Sequence, residues 1–212
     1  MIHWRFYPKY KRFYREFCGR TFRLLDVGCG SESAIHAKKF FPNCQYYGLD
    51  VLDIRQSKRN FALIEQFYHL DLARDRLDAL PEHYFDVIIA NHVIEHLPNG
   101  VAVVEALADK LSVGGVIYIE FPSGRSLGLP SMSGTLNFCD DPTHVRVYGV
   151  REIANALIAK GVRVVKAGAR RDAFRIALSP LILILLFVRG RPPTSILWDF
   201  LGFADFVFAR KT

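Results

Sequence analysis

Two histidines and a glutamate lie close together in His92-Val-Ile-Glu95-His96, and their types suit metal binding or proton transfer. The order H-x-x-E-H is that of a zinc-peptidase motif, in which the histidines bind the ion and the glutamate activates water. That motif needs a long helix, but Pro98 would cut a helix short, and the apolar run 85–90 directly precedes the motif. The context therefore argues against a peptidase and favours a turn that follows a buried strand.

The elements that position this turn alternate along the chain between short apolar strands and helical stretches. Such alternation predicts a parallel sheet that is covered by helices on both faces. The predicted strands span residues 22–27, 45–49, 67–70, 85–90, 116–121, 162–166 and 204–210. The predicted helices span residues 33–41, 54–66, 101–111 and 151–160.

Polar residues or glycines follow several of these strands, namely Asp26, Gly28, Asp50, Asp71 and Asn91. In an open α/β sheet, ligands bind beyond the carboxyl ends of the strands, where the strand order reverses. We therefore expect these residues to face one crevice, with the turn at residues 92–96 at its centre.

The turn Gly28-Cys29-Gly30 joins the first strand to a helix. Glycine lets the backbone come close to a ligand and leaves the helix N-terminus pointing at it. Asp50 follows the second strand, where a carboxylate can accept hydrogen bonds from both hydroxyls of a ribose. Asp71 follows the third strand, where a side chain can accept from an adenine amino group. The pattern is typical of proteins that bind a nucleoside or a dinucleotide.

The composition indicates a folded, basic chain, since half of the 212 residues are hydrophobic and the formal net charge is +7. This charge is compatible with nucleic acid or an anionic membrane as a partner. Basic and aromatic residues alternate in the first twenty positions, which suits a helix on either partner; we favour a helix that covers the core with its aromatic face. The four cysteines form no C-x-x-C pair and the start lacks a signal peptide's apolar core, so we expect a reduced, cytoplasmic protein.

The most apolar run spans residues 176–188, is interrupted by Pro180 and is followed by Arg189 and Arg191. Thirteen residues are too few to cross a bilayer. A buried helix is the simpler interpretation. The alternative is an interfacial patch that dips into lipid at the inner membrane surface.

Five segments follow one another between residues 24 and 123, and they contain DVGCG, YYGLD, HLD, FDVIIANHVIEHLPN and LSVGGVIYIEFPS. In order and spacing they resemble the class I S-adenosylmethionine-dependent methyltransferases. The last two are similar to small O-methyltransferases of ubiquinone biosynthesis. A later stretch, CDDPTHVRVYGVREIANAL, is similar to the lid and helix of many small bacterial members.

The resemblance implies an α/β fold with a Rossmann-like, seven-stranded, mostly parallel sheet, helices on both faces and an antiparallel last strand. It also implies S-adenosylmethionine as cofactor. Its methionine part would contact Asp26, Gly28, Cys29 and Gly30, with Asn91 near the amine and the sulfonium. Its ribose and adenine would contact Asp50, Val51, Asp71 and Leu72.

One departure from the family pattern is Glu32, which stands where the third glycine of G-x-G-x-G is usual. A side chain there would lie near the cofactor's entrance and could alter binding. Glu32 is therefore the reason to keep a non-catalytic, methyltransferase-like binding module as an alternative function.

Transfer of a methyl group to an alcohol needs a base, and histidine suits this role near neutral pH. The candidate catalytic residues are His92 and His144, with Glu95 or Asp141 to orient one of them. His144 falls in a glycine-containing segment, 123–148, that we expect to close over the acceptor as a lid.

A divalent ion is a further alternative, because some relatives carry E-x-x-E-H at this point and bind a metal with it. Here His92 replaces the first glutamate, while Glu95 and His96 match, and His144 could add a ligand. Many relatives with a sequence like HVIEHL are not known for a metal, so we predict no metal.

We therefore expect one methyltransferase domain over residues 1–212, with an N-terminal helical cover at 1–21, a lid at 123–148 and an apolar helical insertion at 173–201. The expected reaction moves a methyl group to an oxygen, or less readily a nitrogen, of a small or lipid-linked acceptor. An RNA methyltransferase is a second alternative, but no RNA-binding module is recognisable, so nucleic acid is not the expected partner. The oligomeric state stays open.

Overall fold

The chain folds around one twisted sheet in a computed structural model that describes residues 7–51, 57–190 and 192–212. The strand order is β3-β2-β1-β4-β5-β7-β6. All neighbouring pairs up to β5 are parallel, whereas β7 runs antiparallel to both β5 and β6. The strands are β1 Arg23–Val27, β2 Gln45–Asp50, β3 Gln66–His69, β4 Phe85–Asn91, β5 Leu111–Pro122, β6 Val162–Ala169 and β7 Ala204–Lys211. This topology confirms the expected Rossmann-like sheet with an antiparallel last strand.

Helices cover both faces of the sheet. Within the described ranges they are α1 Pro8–Lys11, α2 Tyr14–Phe17, α3 Ser33–Phe40, α4 Lys58–Phe61, α5 Gly100–Lys110, α6 Val150–Ala159, α7 Ala173–Ala177, α8 Ser179–Val188 and α9 Thr194–Leu201. Consecutive residues of a strand point to opposite faces, so Leu24 packs with α2 and α3 while Leu25 packs with α5 and α6. Both are fully buried, which explains why the central strands read as continuous apolar runs.

The aromatic side chains of the N-terminal helices lie in the core. Tyr10, Phe13 and Phe17 are buried against α3 and the sheet, and the Phe13 ring stacks on Phe41 at 5.4 Å. Buried rings cannot stack on bases, so they lend no support to the RNA alternative.

The helix expected at 54–66 differs from the structure in its described part. Helix α4 occupies only Lys58–Phe61, and β3 already begins at Gln66. The Ser57 hydroxyl caps α4 by accepting a hydrogen bond from the Asn60 amide, and the Glu65 amide then bonds the Tyr46 carbonyl at the edge of β2. Pairing with the sheet thus outweighs helix propensity in these residues. The first part of the expected helix, residues 52–56, lies outside the described residues.

The apolar helix α8 is exposed, so the buried-helix interpretation of residues 176–188 is wrong. Phe187 is 86% exposed and Val188 is 75% exposed. A search of the described residues finds no helix that is both long and apolar enough to cross a membrane.

Candidate active site

The glycine-rich turn after β1 is held at the carboxyl end of β2 by hydrogen bonds. The amides of Gly28 and Cys29 both bond the Leu49 carbonyl, at 2.7 and 3.2 Å. The Gly30 amide donates to Asp50 Oδ2 at 2.9 Å. The structure thereby brings the predicted ribose carboxylate and the predicted glycine turn into direct contact.

Two glycines of this turn have positive φ, and their surroundings differ. Gly28 has φ +66°, and an added Cβ would lie 2.5 Å from Val93 Cγ2, so only glycine fits. Gly30 has φ +59°, and an added Cβ would meet no atom of the described residues within 4 Å. As far as the described residues go, the bare backbone of Gly30 leaves room for a ligand to come close. Glu32 is exposed ahead of α3, so its side chain does not pack into the protein there.

Cys29 lies between these glycines and is 2% exposed. Burial raises the pKa of its thiol to about 12, helped by the nearby carboxylates of Asp26 and Asp50. The thiol is therefore protonated at neutral pH, and its contribution to this turn is packing rather than nucleophilic chemistry.

Asp26 is buried at the end of β1 and is held by two partners. The Tyr46 hydroxyl donates to Asp26 Oδ2 at 2.9 Å, and the Lys9 ammonium lies 3.5 Å from the same oxygen. Burial disfavours the charged ammonium, but Asp26 and Tyr10 together outweigh that effect and raise the pKa of Lys9 above its usual value. The sequence indicated a basic N-terminal segment without indicating that Lys9 reaches the site.

The three residues predicted around the adenine lie at the ends of β2 and β3. Val51 is 47% exposed, which leaves an apolar surface for a flat ring. Asp71 Oδ1 accepts from the Ala73 amide at 3.0 Å, so this carboxylate also caps the turn after β3. Leu72 is buried, and its carbonyl accepts from the Asn99 side chain at 3.0 Å.

His92, at the end of β4, is held between two buried carboxylates. Its Nδ1 lies 3.0 Å from Glu95 Oε1, and its Nε2 lies 3.2 Å from Glu120 Oε1. Burial alone would lower the pKa of His92, but Glu120 and Glu95 raise it to about 9. The imidazole is therefore charged at neutral pH, with both nitrogens engaged, and it is a poor base in this arrangement.

Glu120 in turn is part of a charged cluster. Burial would raise its pKa, but Arg170 and His92 outweigh burial and lower it to about 2. Arg170 Nε lies 3.3 Å from Glu120 Oε1, and its Nη1 lies 3.7 Å from Asp199 Oδ1. Arg170 Nη2 is buried without a hydrogen-bond partner among the described residues, so it retains donor capacity.

His144 has one ring nitrogen fixed by the backbone. Its Nδ1 bonds the Phe138 carbonyl at 2.7 Å, and because a carbonyl only accepts, Nδ1 must carry a proton. In the neutral ring, Nε2 then has a free electron pair. That atom lies 3.9 Å from Glu95 Oε1 and 3.9 Å from Asp141 Oδ2. His144 thus has the geometry of a base that His92 lacks.

The segment that carries His144 is tied to the turn at residues 92–96. The amides of Val145 and Arg146 both donate to the Glu95 carbonyl, at 2.9 and 3.2 Å. The three predicted catalytic residues, His92, Glu95 and His144, therefore meet around one carboxylate. Glu95 is 1% exposed, and its Oε2 has no hydrogen-bond partner in the part of the chain that the structure describes.

Ligand atoms of Glu95, His96 and His144 all lie within 4.8 Å of one another, which is close enough to hold a metal ion. Two imidazoles and one carboxylate suit zinc or another transition metal better than magnesium. The positive charge of His92 lies 3.0 Å from Glu95 and opposes an added cation. The absence of a metal stays a prediction.

A cavity of about 240 Å³ lies at the carboxyl ends of β4 and β5. Larger hollows of about 340, 400 and 330 Å³ lie elsewhere, and the 400 Å³ one borders Arg23 and Asp86 at the amino ends of the strands. The strand-end cavity matters for chemistry because it alone of these four contains predicted site residues. Its wall includes Lys9, Asn91, His92, Glu120, Arg170 and Trp198.

Several residues of this wall were not predicted from the sequence. Arg170 and Trp198 come from segments with no recognisable motif, and only long-range packing brings them to the cavity. Glu120 could have been identified from the sequence, since a charged residue inside the apolar strand 116–121 is costly to bury without a partner.

Comparisons with known proteins agree with this geometry. Residues 1–167 match the model of a family described as a methyltransferase domain. The chain is 30% identical over 131 residues to mycinamicin VI 2''-O-methyltransferase of Micromonospora griseorubida, covering 56% of this chain and 31% of that protein. It is 28% identical over 102 residues to a ubiquinone biosynthesis O-methyltransferase of Nitrosospira multiformis, covering 45% of this chain and 41% of that protein. The chain thus spans less than half the length of either relative.

Among solved structures, the fold is similar to that of an S-adenosylmethionine-dependent methyltransferase from Archaeoglobus fulgidus. The TM-score is 0.61 at 21% identity, over 95% of this chain and 91% of the other. At this identity the likeness concerns the fold.

Proposed function

This chain belongs to the class I S-adenosylmethionine-dependent methyltransferases, and from that premise we propose that it transfers a methyl group to an oxygen of a small or lipid-linked acceptor. Its cofactor is S-adenosylmethionine, whose sulfonium makes the attached methyl group electrophilic. Both curated relatives described above are O-methyltransferases.

The strand-end crevice suits this cofactor. The open space at Gly30 would admit it, and Asp50 beside that turn would accept from the ribose hydroxyls. Arg170 Nη2 and Lys9, both on the cavity wall, have the charge to receive its carboxylate. Val51 offers an exposed apolar face for the adenine.

In the proposed step, the acceptor oxygen takes up the methyl group as the methyl–sulfur bond breaks, which would leave S-adenosylhomocysteine as a neutral thioether, and His144 accepts the hydroxyl proton at Nε2. The observation that carries this proposal is the Nδ1 bond to the Phe138 carbonyl, which leaves Nε2 as the basic atom. Glu95, 3.9 Å away, stabilises the imidazolium that forms. His92 is a positioning residue, because its charge holds Glu95 and Glu120 in place.

The test is methyl transfer from labelled S-adenosylmethionine to polar and lipid extracts of the source cells, with fragmentation of the product to locate the methyl group. We expect the methyl group on an oxygen of the product. We also expect His144→Ala to lower kcat at least a hundredfold, since losing a general base lowers the rate by about 10²- to 10⁴-fold. His83→Ala is the matched control, since His83 lies just before β4 at the amino ends of the strands, opposite the cavity, and its partner there is Lys211.

Two outcomes would contradict this proposal. A nitrogen-linked product would overturn the acceptor class, and full turnover in His144→Ala would overturn the base assignment. The same assay after chelator treatment should give an unchanged rate. A rate lost to chelator and restored by Zn²⁺ or Mn²⁺ would instead assign Glu95, His96 and His144 to a metal.

A further inference from the structure

We propose that α8 docks into the interfacial region of an anionic lipid bilayer and presents the adjoining cavity to an acceptor held in that bilayer. The second half of this inference rests on the proposed function, and the first half stands on the surface of the protein alone. The exposed residues of α8 form what we call the apolar patch: Leu181, Leu183, Ile184, Leu185, Phe187 and Val188.

The apolar patch extends around α8 rather than along one stripe. At about 100° of rotation per residue, its members span an arc of roughly 200°. A helix that packs on a second protein surface shows a narrower apolar stripe. Fluid hydrocarbon surrounds an element on several sides at once, so the shape of the patch fits lipid better than a second copy of the chain.

The length of α8 fits one leaflet. Ten residues span about 15 Å, against a hydrocarbon core of about 30 Å. The helix can therefore lie within one interface but cannot cross the bilayer.

The charge around the patch is complementary to anionic headgroups. From residue 173 to residue 198 the sequence has three arginines and no acidic residue. Arg189 directly follows α8 and is exposed, as is Arg171 ahead of α7. The flanking acids Asp172 and Asp199 are buried and paired, with Lys11 at 2.9 Å and Arg175 at 2.7 Å respectively. The outward charge of this region is therefore positive.

The two helices that α8 contacts each contribute a residue to the wall of the cavity. Helix α8 packs on α7 and α9, which contribute Arg175 and Trp198 to the cavity that also contains His92. Trp198 Nε1 donates to the Thr135 carbonyl at 2.7 Å, so α9 is joined to segment 123–148. An acceptor anchored in the bilayer beside α8 would thus lie next to the cavity entrance.

Vesicle flotation of the full chain tests the docking. The probes are phosphatidylcholine vesicles with and without phosphatidylglycerol, at low and high salt. The variant is Ile184→Glu with Phe187→Glu, and the control is Val113→Glu with Ile158→Glu, which adds the same charge at positions of similar exposure (77% and 56%) on β5 and α6. We expect wild type and control to float with the anionic vesicles, and the variant to float at least about tenfold less.

Equal flotation of variant and wild type, equal binding to neutral vesicles, or no flotation of wild type would overturn the docking proposal. Light scattering can give one more result that contradicts the proposal. If wild type is a dimer and the variant is a monomer, the apolar patch contacts a second copy of the chain. S-adenosylmethionine binding by the variant should equal that of wild type. This keeps the outcomes separable: a wild type that binds S-adenosylmethionine but does not float refutes only the docking, whereas a wild type that does not bind the cofactor refutes the proposed function.

Discussion

At the scale of single residues, the two histidines of the site differ in what surrounds them. His92 faces a carboxylate on each side, whereas the fixed partner of His144 is a neutral carbonyl. The same side-chain type is therefore a fixed charge at one position and, in the proposed reaction, a base at the other. The sequence predicted all three residues, His92, Glu95 and His144, but could not assign these roles, because Glu120 and Phe138 lie far from the motif in the chain.

The charge on His92 predicts a pH-dependent stability. Its folded pKa of about 9 exceeds the ordinary 6.5, so its stabilising effect is complete below pH 6.5 and is lost as the pH rises through 9. The shift corresponds to at most about 3 kcal/mol. We expect the difference in unfolding free energy between wild type and His92→Gln, measured in urea, to shrink between pH 6.5 and 9. A difference that is constant over this range would show that His92 is not held as a cation.

The room beside Gly30 predicts that a substitution there weakens cofactor binding while lowering stability no more than the same substitution at a comparable glycine. Gly30→Ala and Gly161→Ala both place a methyl group where the described residues have no atom within 4 Å, at positive φ, +59° and +73°. Each should cost about 1 kcal/mol in unfolding free energy. Only Gly30→Ala should weaken S-adenosylmethionine binding, by at least about tenfold, because the added methyl stands where the ligand approaches. Equal cofactor affinity in the two variants, measured by calorimetry, would place the ligand elsewhere.

At the scale of elements, periodicity predicted the sheet well and the short connections poorly. Strands such as β4 are continuous apolar runs, because helices cover both faces of the sheet and the apolar side chains of such a strand are buried on both. Residues 57–66 read as part of a helix, yet a Ser57 cap and an edge bond to Tyr46 divide them into α4, a turn and β3. The exposure of α8 could not be predicted either, since an apolar sequence does not show whether the rest of the protein covers the helix.

The contact between α1 and β1 predicts a stability effect from a residue outside the motifs that resemble the family. Lys9 neutralises Asp26, which is 2% exposed. Lys9→Met should lower the unfolding free energy by about 2 kcal/mol or more, because it leaves a buried carboxylate with Tyr46 as its polar partner. Adding Asp26→Asn should recover part of that loss. Lys39→Met, an exposed site on α3, is the control. A Lys9→Met protein as stable in urea as the control would refute the contact.

At the scale of the whole molecule, the site is assembled from distant parts of the chain. The glycine turn, the strand ends and the turn at residues 92–96 lie in the segment that resembles the family, and they were predictable from it. Lys9, Arg170 and Trp198 approach the same cavity from the N-terminal helices and the region after β6. Their convergence depends on long-range packing, for which a single sequence has no readable pattern. The chemistry of the acceptor also depends on these parts of the chain, so the sequence does not identify the acceptor.

The most direct test of the cofactor site is calorimetric titration of the purified chain with S-adenosylmethionine, beside Asp50→Ala and Asp78→Ala. Asp78 is an exposed acid that pairs with Arg76 on the surface, so its loss controls for the change in net charge. We expect wild type and Asp78→Ala to bind alike and Asp50→Ala to bind at least about tenfold more weakly, since it loses charged hydrogen bonds to the ribose. Equal binding by Asp50→Ala, or no binding by folded wild type, would contradict the assignment of this crevice to the cofactor.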